Sequence, residues 1–186
     1  MNYKCLQNNT FHFNSFSIKP IESSEIEQIR IWRNAQMDVL RQKQSISVEQ
    51  QIIYFERFIW PLFEKSEPHQ ILFSFYKNDK FLGYGGLVHI SWADRRAEMS
   101  FLVNPSYTKC DISYEKFLSS FISLIKKVVY DELNFHKLYT ETYANRTFHI
   151  SVLEKNGFVL EGVLRDHVII NEKFTNSLIH SILNYV

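Results

Sequence analysis

The chain is short of cysteine, glycine, proline and net charge, and each shortage closes off a class of protein. Two cysteines in 186 residues, Cys5 and Cys110, make no disulfide framework, and no Cys-x-x-Cys or Cys/His spacing suits a metal, so none is expected. Five glycines and four prolines leave no Gly- or Pro-rich linker, and residues 1–186 read as one domain. A formal net charge of +1 offers no field for a polyanion, which argues against nucleic acid or an anionic membrane as partner. Long apolar runs are missing as well. The N-terminal segment is polar (Asn2, Lys4, Gln7, Asn8, Asn9), and the apolar stretches further on carry charges, so neither a signal peptide nor a bilayer span is expected. These absences together predict a reduced, cytoplasmic protein, a monomer or homodimer.

What is present in excess is aromatic. Sixteen Phe and ten Tyr bring the aromatic share to 16%, which suits a packed core or an aromatic-lined cleft. The pattern along the chain opens with an extended segment through Phe11, Phe13, Phe16 and Ile18, ending at Pro20. Ser24 with Glu27 forms a capping box for a helix through Ile26, Ile29 and Trp32. Ser47 with Gln50 forms another, for a helix through Ile52, Ile53, Phe55 and Phe58 that Pro61 kinks or ends. Three strand-like runs follow, 71–76, 81–90 and 96–103, separated by turns at 77–80 and at Trp92-Ala93-Asp94, which reads as an antiparallel meander. From 112 to 130 the apolar residues Leu118, Phe121, Ile122, Ile125, Val128 and Val129 recur at helical spacing. A strand (137–143), a helix (about 147–156) and a last hairpin turning at Asn171-Glu172-Lys173 complete the order. A strand–helix–strand step between Phe101 and Lys137 allows two parallel strands inside an otherwise antiparallel sheet.

The C-terminal third carries a resemblance. The strings His136–Thr142, Val152–Phe158 and Glu161–His167 resemble the closing half of GNAT acetyltransferases. They are most similar to the branch that holds ribosomal-protein N-terminal acetyltransferases and amino-sugar acetyltransferases of surface-glycan pathways. Gly157 before Phe158 suits a left-handed helix cap followed by a strand. Near the start, Ile29-Arg30-Ile31-Trp32-Arg33-Asn34 is similar to the Trp-Arg-Asn signature of acetyltransferases that act on nucleotide-linked amino sugars. The resemblance covers about residues 16 to 184. It implies a mixed α/β (α+β) GNAT fold, with a central, mostly antiparallel sheet of about seven strands, flanking helices and a splayed parallel strand pair.

The same resemblance implies acetyl-CoA as co-substrate. Its pantetheine arm would lie in the split between 96–103 and 137–143 and its pyrophosphate at the start of the following helix, where amides and dipole favour an anion. The cofactor-binding residues on this reading are Phe101, Leu102, Val103, Thr108, Lys109, Cys110, Ile112, Ser113 and Tyr114. The family's phosphate-loop glycines are absent from 108–114, and Asp111 adds a negative charge, which predicts weak cofactor binding. Lys109 and Ser113 compensate in part.

Direct acetyl transfer needs a base for the amine and a proton for the departing thiolate. Glu98, on the opposite face of its strand from Ala97, Met99 and Phe101, is the expected general base. His149 and His89 are further catalytic candidates, and Trp32, Arg33 and Asn34 the expected substrate contacts. The acceptor expected is a primary amine on a nucleotide-linked amino sugar. The alternatives are a protein or peptide N-terminus, or a GNAT-fold binding module with a degenerate CoA loop.

Overall fold

A computed structural model describes residues 1–185. Eight strands form one sheet: β1 (Phe11–Phe13), β2 (Phe16–Pro20), β3 (Ile71–Lys77), β4 (Lys80–Ser91), β5 (Arg96–Val103), β6 (Lys137–Tyr143), β7 (Val159–Ile170) and β8 (Lys173–Leu183). Four α-helices accompany them: α1 (Ile26–Asn34), α2 (Val48–Tyr54), α3 (Asp111–Lys126) and α4 (Thr147–Lys155). The spatial order is β1-β2-β3-β4-β5-β6-β8-β7, and every neighbouring pair is antiparallel except β5–β6. That pair is parallel because α3 crosses over between its strands.

The helical periodicity of α3 translates directly into burial. Leu118, Phe121, Ile122 and Ile125 are all fully buried, and the Phe121 ring lies 5.5 Å from that of Phe75 and 4.8 Å from that of Phe101. Gly85 makes this approach possible. A Cβ on it would stand 2.8 Å from the Phe121 ring and 2.2 Å from the Ser100 carbonyl oxygen, so any larger residue would force helix and strand apart. Past Lys126 the chain continues for one π-helical stretch, Lys127–Glu132, which buries Val128 and Val129. Gly157 closes α4 with φ +90°. Its amide donates to the Glu154 carbonyl and that of Phe158 to the Leu153 carbonyl, the Schellman arrangement that delivers Phe158 into the core.

Three local expectations are corrected. The first extended segment is a hairpin of two strands, because Asn14 adopts φ 53° and reverses the chain, giving eight strands where about seven were expected. The capping box before α1 is not Ser24–Glu27. Residues Ser23–Glu25 form a 3-10 turn, so Ser24 lies inside the turn and the Glu25 carboxylate accepts the Glu22 amide at 2.9 Å. That carboxylate also accepts hydrogen bonds from Ser74 and Tyr76, which ties the entry of α1 to β3. The second helix, capped by Ser47 and Gln50 as expected, is α-helical only to Tyr54 and continues as a π-helical stretch, Phe55–Ile59, in which Phe55 is buried and Phe58 is exposed, as are Ile52 and Ile53 before it. Pro61 falls in a 3-10 stretch, Trp60–Glu64, that ends this helical region.

Candidate active site

The pairing of β5 with β6 is brief. Arg96, Ala97 and Glu98 stand beside Lys137, Leu138 and Tyr139, and beyond that point the two strands part. Where they part, a cavity of about 830 Å³ opens, lined on one side by Met99, Ser100, Phe101 and Leu102 and on the other by Glu141, Tyr143, Arg146 and His149. Strand alternation places Glu98 and, across the split, Tyr139, Glu141 and Tyr143 on one face of the sheet. Glu98 therefore stands at the apex of the split. It is 7% exposed and lines the cavity, not the solvent-facing side of the sheet.

A charged cluster surrounds it. The Arg41 guanidinium, from the loop between α1 and α2, donates to Glu98 Oε1 at 2.9 Å and to Glu141 Oε2 at 2.7 Å. His89 Nε2 lies 3.2 Å from Arg41 Nη1 and 3.8 Å from Glu98 Oε2. A register shift between Val88 and Ser91, with His89 at φ 47°, turns this imidazole to the cavity. Among the described residues no group of three or more His, Cys, Asp or Glu is placed to hold a metal.

The far wall is a chain of three side chains, of which Tyr114 and His149 are buried. Arg146 Nη2 donates to the Tyr114 hydroxyl at 3.1 Å, and that hydroxyl lies 2.7 Å from His149 Nδ1. The Tyr114 hydroxyl, already receiving from Arg146, donates to Nδ1, which leaves the imidazole proton on Nε2. Burial, then the positive charge of Arg146 and the proximity of the His180 ring, holds the His149 pKa well below its usual range, so the ring is neutral. Burial likewise raises the Tyr114 hydroxyl pKa against the opposing pull of Arg146.

At the start of α3 the expected phosphate loop is sparse. Thr108 spends its hydroxyl on the Pro105 carbonyl, Lys109 and Cys110 are exposed, and Ile112 is 83% exposed. Cys110 caps the helix in an extended conformation, its thiol pKa drawn down by hydrogen bonding from Ser113. The first amides of α3 have no helical carbonyl behind them, so an anion here would be held by backbone, dipole and Lys109. Of the expected cofactor residues, Phe101 and Leu102 lie on the parted edge of β5 and line the cavity, whereas Val103 is buried and its carbonyl accepts from Gln36. The freed edge opening on a cavity, with a helix start beyond it, fits an extended pantetheine arm with a terminal pyrophosphate.

The expected substrate triplet divides. Arg33 lines the cavity, with Nη1 donating to the Tyr84 hydroxyl at 2.7 Å and Nε to Gln42 at 3.0 Å. Trp32 is a core residue with its ring 4.7 Å from that of Phe81, and Asn34 braces the following loop through both the amide and the carbonyl of Ile46. Arg41, Glu141, Tyr143 and Arg146 were not singled out from the sequence as site residues. Glu141 had a signal, since it shares the strand face with Tyr139; Arg41 had none.

A mixed sheet whose parallel pair splays open over a cavity, with a carboxylate at the apex and a helix start beyond, offers an extended carrier a free strand edge and a reacting group a proton acceptor. A family model described as an acetyltransferase (GNAT) domain matches residues 18–179. The chain belongs to that family and is an acetyl-CoA-dependent N-acetyltransferase. Among solved structures it is similar to the spermidine N-acetyltransferase of Vibrio cholerae in complex with CoA and spermine, with TM-score 0.81 and 18% identity over 92% of this chain and 96% of that one. A dodecameric structure of the same Vibrio cholerae enzyme in an intermediate state matches with TM-score 0.75 and 18% identity, over 92% and 95%. At that identity the likeness is one of fold. No curated protein sequence matches the chain significantly. No helix among the described residues is long and apolar enough to cross a membrane.

Proposed function

We propose that the acceptor is a small, multiply charged aliphatic amine of the polyamine kind. The observation that carries this reading is the carboxylate pair: Glu98 and Glu141 enter the cavity from the two parted strands and already hold a cation, the Arg41 guanidinium, at 2.9 and 2.7 Å. A carboxylate pair that holds one organic cation can hold another, an ammonium group in place of the guanidinium. The structurally similar enzyme that carries spermine and CoA supports the same class. The amino-sugar reading retains Arg33 at the cavity wall, but Tyr84 and Gln42 already engage that guanidinium.

In the reaction, bound acetyl-CoA supplies the thioester. Glu98 takes the ammonium proton, directly or through one water, and the freed amine forms the new C–N bond; as the C–S bond breaks, the second proton of the now cationic nitrogen passes to the departing sulfur, directly or through water, and CoA leaves as the thiol. His89, largely exposed, stands 3.8 Å from Glu98 beside Arg41. Neutral His149, bonded to Tyr114, orients the opposite wall. The parted edge from Met99 to Leu102 aligns the pantetheine arm. Acetyl transfer to spermidine, to amino-sugar nucleotides and to peptides, followed by thiol release, tests the assignment. Turnover of spermidine alone is expected; turnover of only a sugar nucleotide or only a peptide would replace it.

A further inference from the structure

The loop that carries Arg41 is pinned just after it, at Gln42 and Ile46. Arg33 Nε donates to the Gln42 side chain at 3.0 Å, Gln42 Nε2 donates to Asn34 Oδ1 at 2.8 Å, and Asn34 exchanges hydrogen bonds with the Ile46 backbone at 2.9 Å. Arg30 Nη1 adds a 3.0 Å bond to the Ile46 carbonyl. Arg41 is different. Its recorded side-chain contacts are Glu98, Glu141 and His89, all across the cavity, and its side chain remains about half exposed. The two carboxylates it joins are both largely buried, and His167 stands 3.8 Å from the second oxygen of Glu141.

Two buried carboxylates sharing one site require a cation between them, since like charges in low dielectric repel strongly. The long, half-exposed side chain of Arg41 can leave by rotating about its own torsions into solvent while the pinned loop stays where it is. We infer that Arg41 is an internal plug: its guanidinium occupies the Glu98–Glu141 subsite in the free enzyme and is displaced by the ammonium group of the acceptor. The inference rests on the cationic acceptor proposed above and adds a consequence. Glu98 is committed to Arg41 until an acceptor arrives, so the base is released by the substrate it serves. Neutral amines, or amines too short to bridge both carboxylates, displace the plug poorly, so Arg41 also sets a threshold of charge for entry.

The arithmetic is that of a competing internal state. If the plug fills the subsite about nine-tenths of the time, apparent acceptor affinity is lowered about tenfold, and removing the plug restores it. Spermidine binding is measured by calorimetry without acetyl-CoA, and KM and kcat by steady-state turnover, for wild type, Arg41→Gln and Arg41→Lys. Thermal midpoints confirm that each variant is folded. Arg41→Gln is expected to bind spermidine roughly tenfold more tightly and lower its KM by the same factor, with Arg41→Lys between it and wild type and the KM for acetyl-CoA unmoved. Weaker spermidine binding in Arg41→Gln, or a kcat loss with unchanged binding, overturns the plug and makes Arg41 an acceptor contact or a positioning residue for Glu98. If wild type acetylates a sugar nucleotide or peptide and not spermidine, the acceptor assignment falls by itself. A raised KM for that acceptor in Arg41→Gln then removes the plug as well, whereas a lowered KM keeps it.

Discussion

At the acceptor end of the split, Arg41, Glu98, Glu141 and His89 lie within 4 Å of one another in a chain of contacts, and the two carboxylates are largely buried. At the phosphate end, residues 108–112 are exposed, no glycine is present, and the one side-chain cation in the loop is Lys109. Charges held in a sheltered cluster feel a low dielectric and interact strongly, whereas exposed ones are screened. On the acceptor and cofactor sites proposed above, side chains discriminate among ligands at the acceptor end, whereas the phosphate end offers only what every helix start possesses, free amides and a dipole.

The largest expected effect belongs to Glu98. Glu98→Gln preserves shape and can still accept a hydrogen bond from Arg41, so it removes basicity and leaves packing alone. Loss of a general base costs about a hundredfold to ten-thousandfold in kcat. Much of that loss should return at raised pH, where the acceptor amine is already neutral. Acetyl-CoA binding by calorimetry should be unchanged, and a wild-type kcat at neutral pH would remove Glu98 as the base and direct the same test to His89.

Next in size is a change at the phosphate end. Binding there is expected at roughly tens of micromolar or weaker. Ser113→Trp puts a bulky ring over the first amides of α3 and should weaken acetyl-CoA binding by about a hundredfold, with the thermal stabilisation by acetyl-CoA disappearing. An unaltered titration would mean that the pyrophosphate does not use this helix start, and the comparison between the two ends would fail at its weaker end. Glu141→Gln is the matching change at the other end. It should raise the KM for a polyamine about tenfold, leave that for acetyl-CoA where it was, and reduce kcat far less than Glu98→Gln does. Equal effects on both KM values would show Glu141 to be a strand residue with no share in acceptor binding.

The elements that sequence made legible are those defined within a few residues. The buried face of α3, the Ser47–Gln50 cap, the meander β3–β5 and the Gly157 closure each follow from local spacing. The face that Glu98 takes follows from alternation, although alternation does not say whether that face meets solvent or a cavity. The first strand was misread because four apolar residues in near-alternation mask the Asn14 reversal between them. The Ser24–Glu27 box was misread because a 3-10 turn and a cap share the same residue types, and the buried Glu25 anchor that decides between them depends on Ser74 and Tyr76, some fifty residues on. Arg41 and Glu141 meet across 100 residues through a loop and a parallel register, neither of which leaves a mark on local spacing. The start of α3 is read from sequence mainly by what it lacks, and its exposure is a property of the fold that no local spacing carries.

The smallest expected effect concerns the wall that joins the two ends, Tyr114–His149–Arg146. His149 is neutral in the folded protein, with its pKa held well below 6.5 by burial, by the charge of Arg146 and by the nearby His180 ring, while in the unfolded chain it titrates near 6.5. The unfolded state therefore binds one more proton than the native state below that pH. Stability attributable to this group is complete above pH 6.5 and is lost as pH falls from 6.5 toward the lower native value, with a slope of at most about 1.4 kcal/mol per pH unit. His149→Gln keeps an acceptor for the Tyr114 hydroxyl and removes the titration. Its overall stability should drop at every pH, but between pH 6.5 and 5 its denaturant-derived stability should fall less steeply than that of wild type, by about 1 kcal/mol per pH unit. Parallel curves would mean that His149 accepts a proton inside the folded protein. The imidazole would then reach bulk water through the cavity, and the sheltered wall that separates the charged acceptor end from the open phosphate end would be wet.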